Sequence, residues 1–417
     1  MQIQENIFIN KPFSTGSPFC VESLLAPLTG QQFLAEYWEQ QLLHVSRNQS
    51  DYYDALFSVD ALERVLQCSQ VKPPDIRVVE NQVEMLPAKY QNADGSIHIN
   101  QLYKAYDEGH SIIINGLQRF WPAVASFCNQ LQQALSHATV ANCYFSPANS
   151  KALQPHYDTH DVFVAQLAGS KRWKFHGSPQ PVPLHNSFQP VIPEKNLDQP
   201  TDEVLVQPGD LMYIPRGLIH HAETSDSFSF HMTLGVHPAQ WMDLLQQALT
   251  AFSLQDERFR RALPPGFLEA NNGDALAEQF AALLDIFHEK ANLQEAFTLL
   301  QHQFLQGTTP APDGHFNQLN ELDSITAETQ VVKRPGLTCR LINQGVSVSL
   351  KFPGNTIGGP FHYRRAMEFV AQATQPFYVD ELPGLEPEKQ VIFTRRLIRG
   401  GLLKKSPSPL GNSGSPL

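Results

Sequence analysis

The sequence predicts an α+β chain: a small β-sandwich or barrel near the middle, helices on either side, and a mixed module at the end. Three observations carry this expectation. Between residues 138 and 236, short segments rich in aromatic and β-branched residues alternate with Pro, Gly, Asn and Asp clusters. That pattern suits several short strands joined by turns better than a parallel sheet. Residues 239–306 instead carry apolar residues at helical spacing. Finally, the strand block holds two short motifs, His156-Tyr157-Asp158 and the run from Gly209 to His220, which together suit a metal site at the mouth of a barrel.

Taken in order, the first 110 residues read as helices mixed with loops. Residues 31–43 place Phe33, Leu34, Tyr37, Trp38 and Leu42 on one helical face, and 60–68 looks like a second helix. Residues 120–136 form another amphipathic pattern through Val124, Phe127, Leu131 and Leu135. Strands are expected at 138–146, 161–167, 171–175, 204–206, 210–214 and 227–236. Three apolar stripes follow: Trp241 to Phe252, Leu276 to Phe287, and Leu293 to Phe304. Helices with such stripes must bury them, against each other or against a second copy of the chain. A Gly/Pro/Thr stretch at 307–314 reads as a linker. Beyond it come a hairpin at 337–352, a helix at 362–374, a final helix at 386–402, and a Ser/Pro/Gly tail expected to be disordered. The implied domains are 1–238 (barrel with helical elaboration), 239–310 (helical), 320–405 (terminal module) and 406–417 (tail).

Composition narrows the function classes. With 42% hydrophobic and 17% charged residues among 417, the chain can bury a sizeable core. No apolar run approaches the roughly 18–20 residues of a membrane span, and the N-terminus lacks the basic start of a signal peptide. Five scattered cysteines without a C-x-x-C pair argue against zinc or disulfides and for a reducing cytoplasm, with the thiols as small core residues. The net charge is −11, yet residues 325–405 carry twelve Lys+Arg against six Asp+Glu. A basic module on an acidic body fits a nucleic-acid or ribosome-associated partner, or equally a solvated basic face. Direct nucleic-acid binding is not the expectation for so acidic a chain.

Sixteen histidines make an isolated His-x-Asp pair unsurprising. The weight rests on the two motifs occurring in this order, each within strand-like sequence. His156, Asp158 and His220 supply two imidazoles and one carboxylate, a set that on one face of Fe(II) leaves positions open for other molecules. The second motif has the cupin spacing Gly-x5-Pro-x-Gly-x2-His. Its Gly and Pro form a turn that delivers His220. His221 should point to the opposite face of its strand. His160, His231 and His237 are expected as nearby core or supporting residues.

Over residues 141–173, including Ala-Asn-Cys-Tyr-Phe-Ser-Pro and Gln-Pro-His-Tyr-Asp-Thr-His-Asp, and over Tyr-Ile-Pro-Arg-Gly-Leu-Ile-His-His-Ala, the chain resembles the JmjC-type ribosomal oxygenases of the cupin superfamily. The resemblance is specific over 140–236. It implies an enzyme that uses Fe(II), 2-oxoglutarate and O2 to hydroxylate a side chain of a protein substrate, most naturally a ribosomal protein. It implies His156, Asp158 and His220 as iron ligands, Lys171 as partner of the far carboxylate of 2-oxoglutarate, and Asn142 and Tyr144 as lining the cofactor pocket. Architecturally it implies a double-stranded β-helix, a helical dimerisation domain giving a homodimer, and a C-terminal winged-helix-like domain. Where many relatives carry a serine after the last ligand, this chain has Gly235. Two other classes stay open at this point. One is a 2-oxoglutarate oxygenase acting on a biosynthetic peptide, a small metabolite or a methylated lysine; the other is a non-enzymatic cupin-like binding module.

Overall fold

Outer-face packing of one large sheet organises the first part of the molecule. The computed structural model describes residues 19–406, apart from 81–82, 190, 269–272, 309, 311, 335 and 344. The expected tail at 406–417 thus falls almost wholly outside the described residues. The chain divides into two compact units, Met1–Pro238 and Ala239–Leu417.

In the first unit the helices are α1 (Val21–Leu25), α2 (Gly30–Glu36), α3 (Val59–Cys68), α4 (Ile99–Asp107) and α5 (Pro122–Leu135). The strands are β1 (Leu43–Val45), β2 (Ile76–Glu80), β3 (Val83–Glu84), β4 (Ser111–Ile114), β5 (Ala138–Ser146), β6 (Asp161–Gly169), β7 (Lys171–His176), β8 (Asp202–Val206), β9 (Leu211–Ile214), β10 (Ile219–Glu223) and β11 (Ser229–His237). An eight-stranded antiparallel sheet runs β1-β9-β6-β11-β5-β4-β2-β3, and a smaller one runs β10-β7-β8. Strand alternation gives the large sheet two distinct faces. Ala141, Cys143, Phe163, Ala165, Tyr213, Phe230, Met232, Leu234 and Val236 pack outward with Phe33, Val65 and Phe127 of the helices. Val162, Val164, Met212 and Ile214 point inward to meet Trp173, Phe175 and Val206 of the small sheet. Because both faces are covered, β6 is buried from Asp161 through Leu167, and each large apolar side chain so buried contributes roughly 1.5–3 kcal/mol.

Three sequence expectations need correction here. The first 110 residues are not only helix and loop: β1, β2, β3 and β4 extend the large sheet, carried by β-branched runs such as Ser111-Ile-Ile-Ile. The helix expected over 31–43 stops at Glu36. A turn follows in which Glu39 takes a φ of 60° and donates its N–H to the Tyr213 hydroxyl, so Trp38 packs against Phe33 and Tyr213 and the chain re-enters as β1. Finally, Cys68 is exposed, whereas Cys128, Cys143 and Cys339 are buried.

The second unit starts with α6 (Trp241–Gln255), α7 (Gly273–Lys290) and α8 (Leu293–Gly307). Only Phe252 of α6 and Ala296 and Leu305 of α8 are buried, and α7 buries none. Trp241, Leu245, Leu249, Phe280, Leu284, Leu293 and Phe297 stay exposed, Phe280 by 64%. After α9 (His315–Asn320) come β12 (Gln330–Lys333), β13 (Arg340–Asn343), β14 (Ser347–Phe352), β15 (Asn355–Pro360), α10 (Arg364–Gln372), β16 (Phe377–Tyr378), α11 (Pro387–Arg399) and β17 (Leu403–Lys405). The expected hairpin gains a third strand, giving β13-β14-β15 beside a second small sheet, β16-β12-β17. Val331, Leu350, Met367, Phe393 and Leu397 centre this module's own core. Among the described residues no helix is long and apolar enough to cross a membrane.

Candidate metal centre

His156 lies in the connection between β5 and β6, and His220 lies on β10. Their backbones exchange both hydrogen bonds, His156 N–H to His220 O at 3.2 Å and His220 N–H to His156 O at 2.8 Å. The two residues therefore sit directly opposite each other with their rings 4.7 Å apart. Gly217, at a φ of 87°, donates its N–H to Asp158 O at 2.9 Å. A Cβ at 217 would come within 2.4 Å of Gln180 O, so the glycine of the second motif is required by this close approach.

The ligand atoms of His156, Asp158 and His220 all lie within 4.8 Å of one another. Asp158 Oδ1 is 3.9 Å from His156 Nε2, and Oδ2 is 3.7 Å from His220 Nε2. His156 Nδ1 faces Gln154 O at 2.8 Å and His220 Nδ1 faces Leu218 O at 2.9 Å. A carbonyl oxygen only accepts, so each Nδ1 is the donor, and in the neutral ring this tautomer turns the Nε2 lone pair toward the cluster. Burial, reinforced by His156, holds the His220 imidazole down to about 4 against the pull of Asp158. Burial pushes Asp158 upward, but His160, His220 and His156 outweigh it and keep the carboxyl below its ordinary range. Two Nε2 atoms and a carboxylate therefore converge on one point. This donor set fits a divalent metal, and its nitrogen-oxygen composition suits Fe(II).

The inner face beside these residues holds a buried cation. Lys171 on β7 donates to Ser146 Oγ at 3.3 Å, and burial pulls its ammonium down to about 8. Among the described residues no carboxylate lies within ion-pair distance of it. Trp173, next on the same face, packs 5.9 Å from His220 and 5.7 Å from His231. Tyr144 stacks flat on His231 at 4.9 Å, and burial together with Asp158 pushes its phenol up to about 12. Asn142 occupies the same face of β5, but its Oδ1 is engaged by the Gly116 N–H at 2.9 Å.

The remaining histidines divide clearly. His221 faces away and stacks on His176 with their Nε2 atoms 3.1 Å apart, so it takes no part in the cluster. His160 and His237 stack at 4.5 Å. The space a side chain at Gly235 would need is filled by the His160 ring, whose Cδ2 lies 2.8 Å from an added Cβ. A serine there would displace His160.

Several neighbours were not anticipated from the sequence. Asp161 and Arg216 form a buried ion pair at 2.7 Å, with Tyr213 OH donating to Asp161 at 2.8 Å and Glu39 reaching Arg216 at 2.5 Å. The segment 177–201 is stitched to the His156 stretch through Ile192 N–H to Pro155 O and Thr159 Oγ1 to His185 O. From that segment Gln189 Nε2 donates to Asp158 Oδ1 at 3.0 Å. Lacking periodicity, this segment gave no sequence signal for that contact.

A family model for the JmjC domain matches residues 115–244, a span that contains His156, Asp158, His220 and Lys171. Ribosomal oxygenase 2 of Mus musculus is 33% identical over 263 residues, covering 60% of this chain and 55% of the relative. Ribosomal oxygenase 1 of Rattus norvegicus is 32% identical, covering 60% of this chain and 42% of the relative. A bifunctional lysine-specific demethylase and histidyl-hydroxylase NO66 of Aedes aegypti is 32% identical, covering 54% and 35%. The chain thus spans about half, or less, of the length of the curated relatives it matches. The solved structure of YcfD, a ribosomal oxygenase from Escherichia coli, in complex with cobalt and 2-oxoglutarate superposes with a TM-score of 0.51 at 17% identity, covering 91% of this chain and 99% of that one. At that identity the likeness is one of fold.

Proposed function

From the premise of a JmjC domain in a chain homologous to the ribosomal oxygenases, we propose that this protein is an Fe(II)- and 2-oxoglutarate-dependent oxygenase that hydroxylates a side chain of a protein, most naturally a ribosomal protein. The observation that carries the proposal is the convergence of two Nε2 atoms and one carboxylate beside a buried lysine that has no anionic partner among the described residues. In this assignment His156, Asp158 and His220 hold the metal. Lys171 pairs with the far carboxylate of 2-oxoglutarate. Bound Fe(II), with 2-oxoglutarate and O2, supplies the oxidising power for inserting one oxygen atom into a substrate C–H bond, with succinate and CO2 as co-products.

The protein's own part is positioning and shielding. The His156–His220 backbone pair sets the spacing of the two imidazoles, and their Nδ1 bonds fix which nitrogen faces the metal. Trp173 and Phe175 wall the interior and exclude water from it. Tyr144 and Asn142 complete the inner face, and because Asn142 Oδ1 is engaged by Gly116, any contact from Asn142 to cosubstrate falls to its amide N–H groups.

Two architectural assignments accompany this function. The exposed apolar residues of α6, α7 and α8 support a homodimer with an isologous interface, and the segment 320–405 is assigned as a winged-helix-like module. Residues 1–238 would form the catalytic domain and 239–310 the dimerisation domain, in a cytoplasmic enzyme. The naming of one relative as a demethylase as well as a hydroxylase keeps methylated lysine as the second substrate reading. Succinate formation by purified protein with Fe(II) and 2-oxoglutarate tests the activity, and its absence would leave only a binding module. Mass spectrometry of ribosomal proteins from cells with and without the protein then tests the substrate: gain of one oxygen atom supports hydroxylation, and loss of a methyl group supports the alternative.

A further inference from the structure

Asp158 is the one anionic member of the cluster, and its two oxygens are not equivalent. Oδ1 accepts a hydrogen bond from Gln189 Nε2 at 3.0 Å, whereas Oδ2 faces His220 Nε2 at 3.7 Å. Gln189 is exposed. Its contact is not an accident of a loose side chain, because the backbone around it is anchored. Ile192 N–H donates to Pro155 O at 2.8 Å, Ser187 N–H donates to Leu184 O at 2.9 Å, and Val191 bridges to His156 itself. The segment is held against the very stretch that carries His156 and Asp158, and it presents one amide N–H to one carboxylate oxygen.

We propose that Gln189 is a positioning residue that restrains Asp158 to a single oxygen for the metal, so that the segment 177–201 is part of the metal centre and not merely a rim around it. This rests on the metal-centre assignment above. A carboxylate has lone pairs on both oxygens and can chelate a cation through the two together. Chelation would occupy a coordination position that cosubstrate or O2 requires. An N–H group bonded to Oδ1 competes for that oxygen and leaves Oδ2 to the metal. Outer hydrogen-bond partners of this kind typically change metal affinity or activity by about 10–100-fold. The geometry also explains why an exposed glutamine reaches inward past solvent: its acceptor carries charge.

The test uses the full chain titrated with Co(II), read by the visible absorption bands of the bound ion, with and without 2-oxoglutarate. Wild type should bind, and His156→Ala should not. Gln189→Ala should bind Co(II) roughly tenfold or more weakly and with an altered band pattern, while its thermal midpoint without metal matches wild type because the residue is exposed. Gln189→Glu, which removes the donor and keeps the shape, should behave like Gln189→Ala or worse. If wild type binds and His156→Ala does not, yet both Gln189 variants show wild-type affinity and spectrum, the role of Gln189 is overturned and the metal centre stands. If wild type fails to bind, or His156→Ala binds as well as wild type, the metal-centre assignment falls and this inference with it.

Discussion

Replacing Lys171 gives the perturbation whose size follows most directly from the structure. Its ammonium is buried on the inner face of β7 against the neutral Ser146 hydroxyl at 3.3 Å. Burial lowers it from 10.5 to about 8. At roughly 1.4 kcal/mol per tenfold change in acidity, holding that charge costs the ligand-free protein about 3 kcal/mol. An anionic ligand offsets this cost, which is why the site should select a dicarboxylate. Losing one partner of a buried charge pair costs on the order of 2–5 kcal/mol, so Lys171→Ala should weaken 2-oxoglutarate binding about 30-fold or more with Co(II) affinity nearly unchanged. The assay is calorimetric titration of 2-oxoglutarate into metal-loaded protein across pH. Wild-type affinity should be level below about pH 8 and fall about tenfold by about pH 9, as the free ammonium is lost. Lys171→Arg, which stays charged, should remain level. The stability sign is the reverse of the usual one for a paired lysine. Between about 8 and 10.5 the unfolded chain binds a proton that the fold does not, so ligand-free stability rises with pH across that window. Lys171→Met should accordingly stabilise the ligand-free protein below about pH 8 by up to about 3 kcal/mol. Unchanged 2-oxoglutarate affinity in Lys171→Ala, with the wild-type pH profile intact, would refute the reasoning and assign the carboxylate to another cation.

His156→Ala or Asp158→Ala should abolish succinate formation while the far-ultraviolet spectrum and thermal midpoint stay close to wild type; near wild-type turnover by either folded variant would sink the ligand assignment. Arg216→Met strands the fully buried Asp161 carboxylate without its cation, and urea denaturation should show a loss of roughly 3–5 kcal/mol. Phe280→Glu, on the exposed face of α7, should leave the monomer folded and split the proposed dimer; light scattering of the wild type at 46.8 kDa would remove the dimer altogether.

The parts legible in the sequence are those where one residue type is tied to one backbone position. The Gly and Pro of the second motif mark a turn that only such residues accommodate, and His-x-Asp marks a spacing, so His156, Asp158 and His220 could be named and their donor atoms do converge. The outward orientation of His221 followed from strand alternation alone. The strands before residue 115 were hidden because β1, β2 and β4 are three to five residues long, too short to display a period against nearby helical stripes. Gln189 and the Asp161–Arg216 pair were hidden for another reason. Each acts through a partner remote in the chain, and a single sequence carries no trace of which polar side chains will meet. The fate of Gly235 was partly visible. Absence of a side chain could be read, but its replacement by the ring of His160 could not.

The two faces of β11 impose a reading frame on the protein's history. Phe230, Met232, Leu234 and Val236 hold the sheet to its helices, while His231 and Gly235 front the chemistry. Insertion or deletion of one residue would exchange the two sets and lose both at once. Descendants of this chain can therefore retune the pocket by substitution at every second position of the strand, whereas an added residue must be absorbed as a bulge, as the β6 ladder already does between Phe230 and His231. Insertions and deletions fall instead in the irregular connections, away from the residues that anchor 177–201 to the His156 stretch.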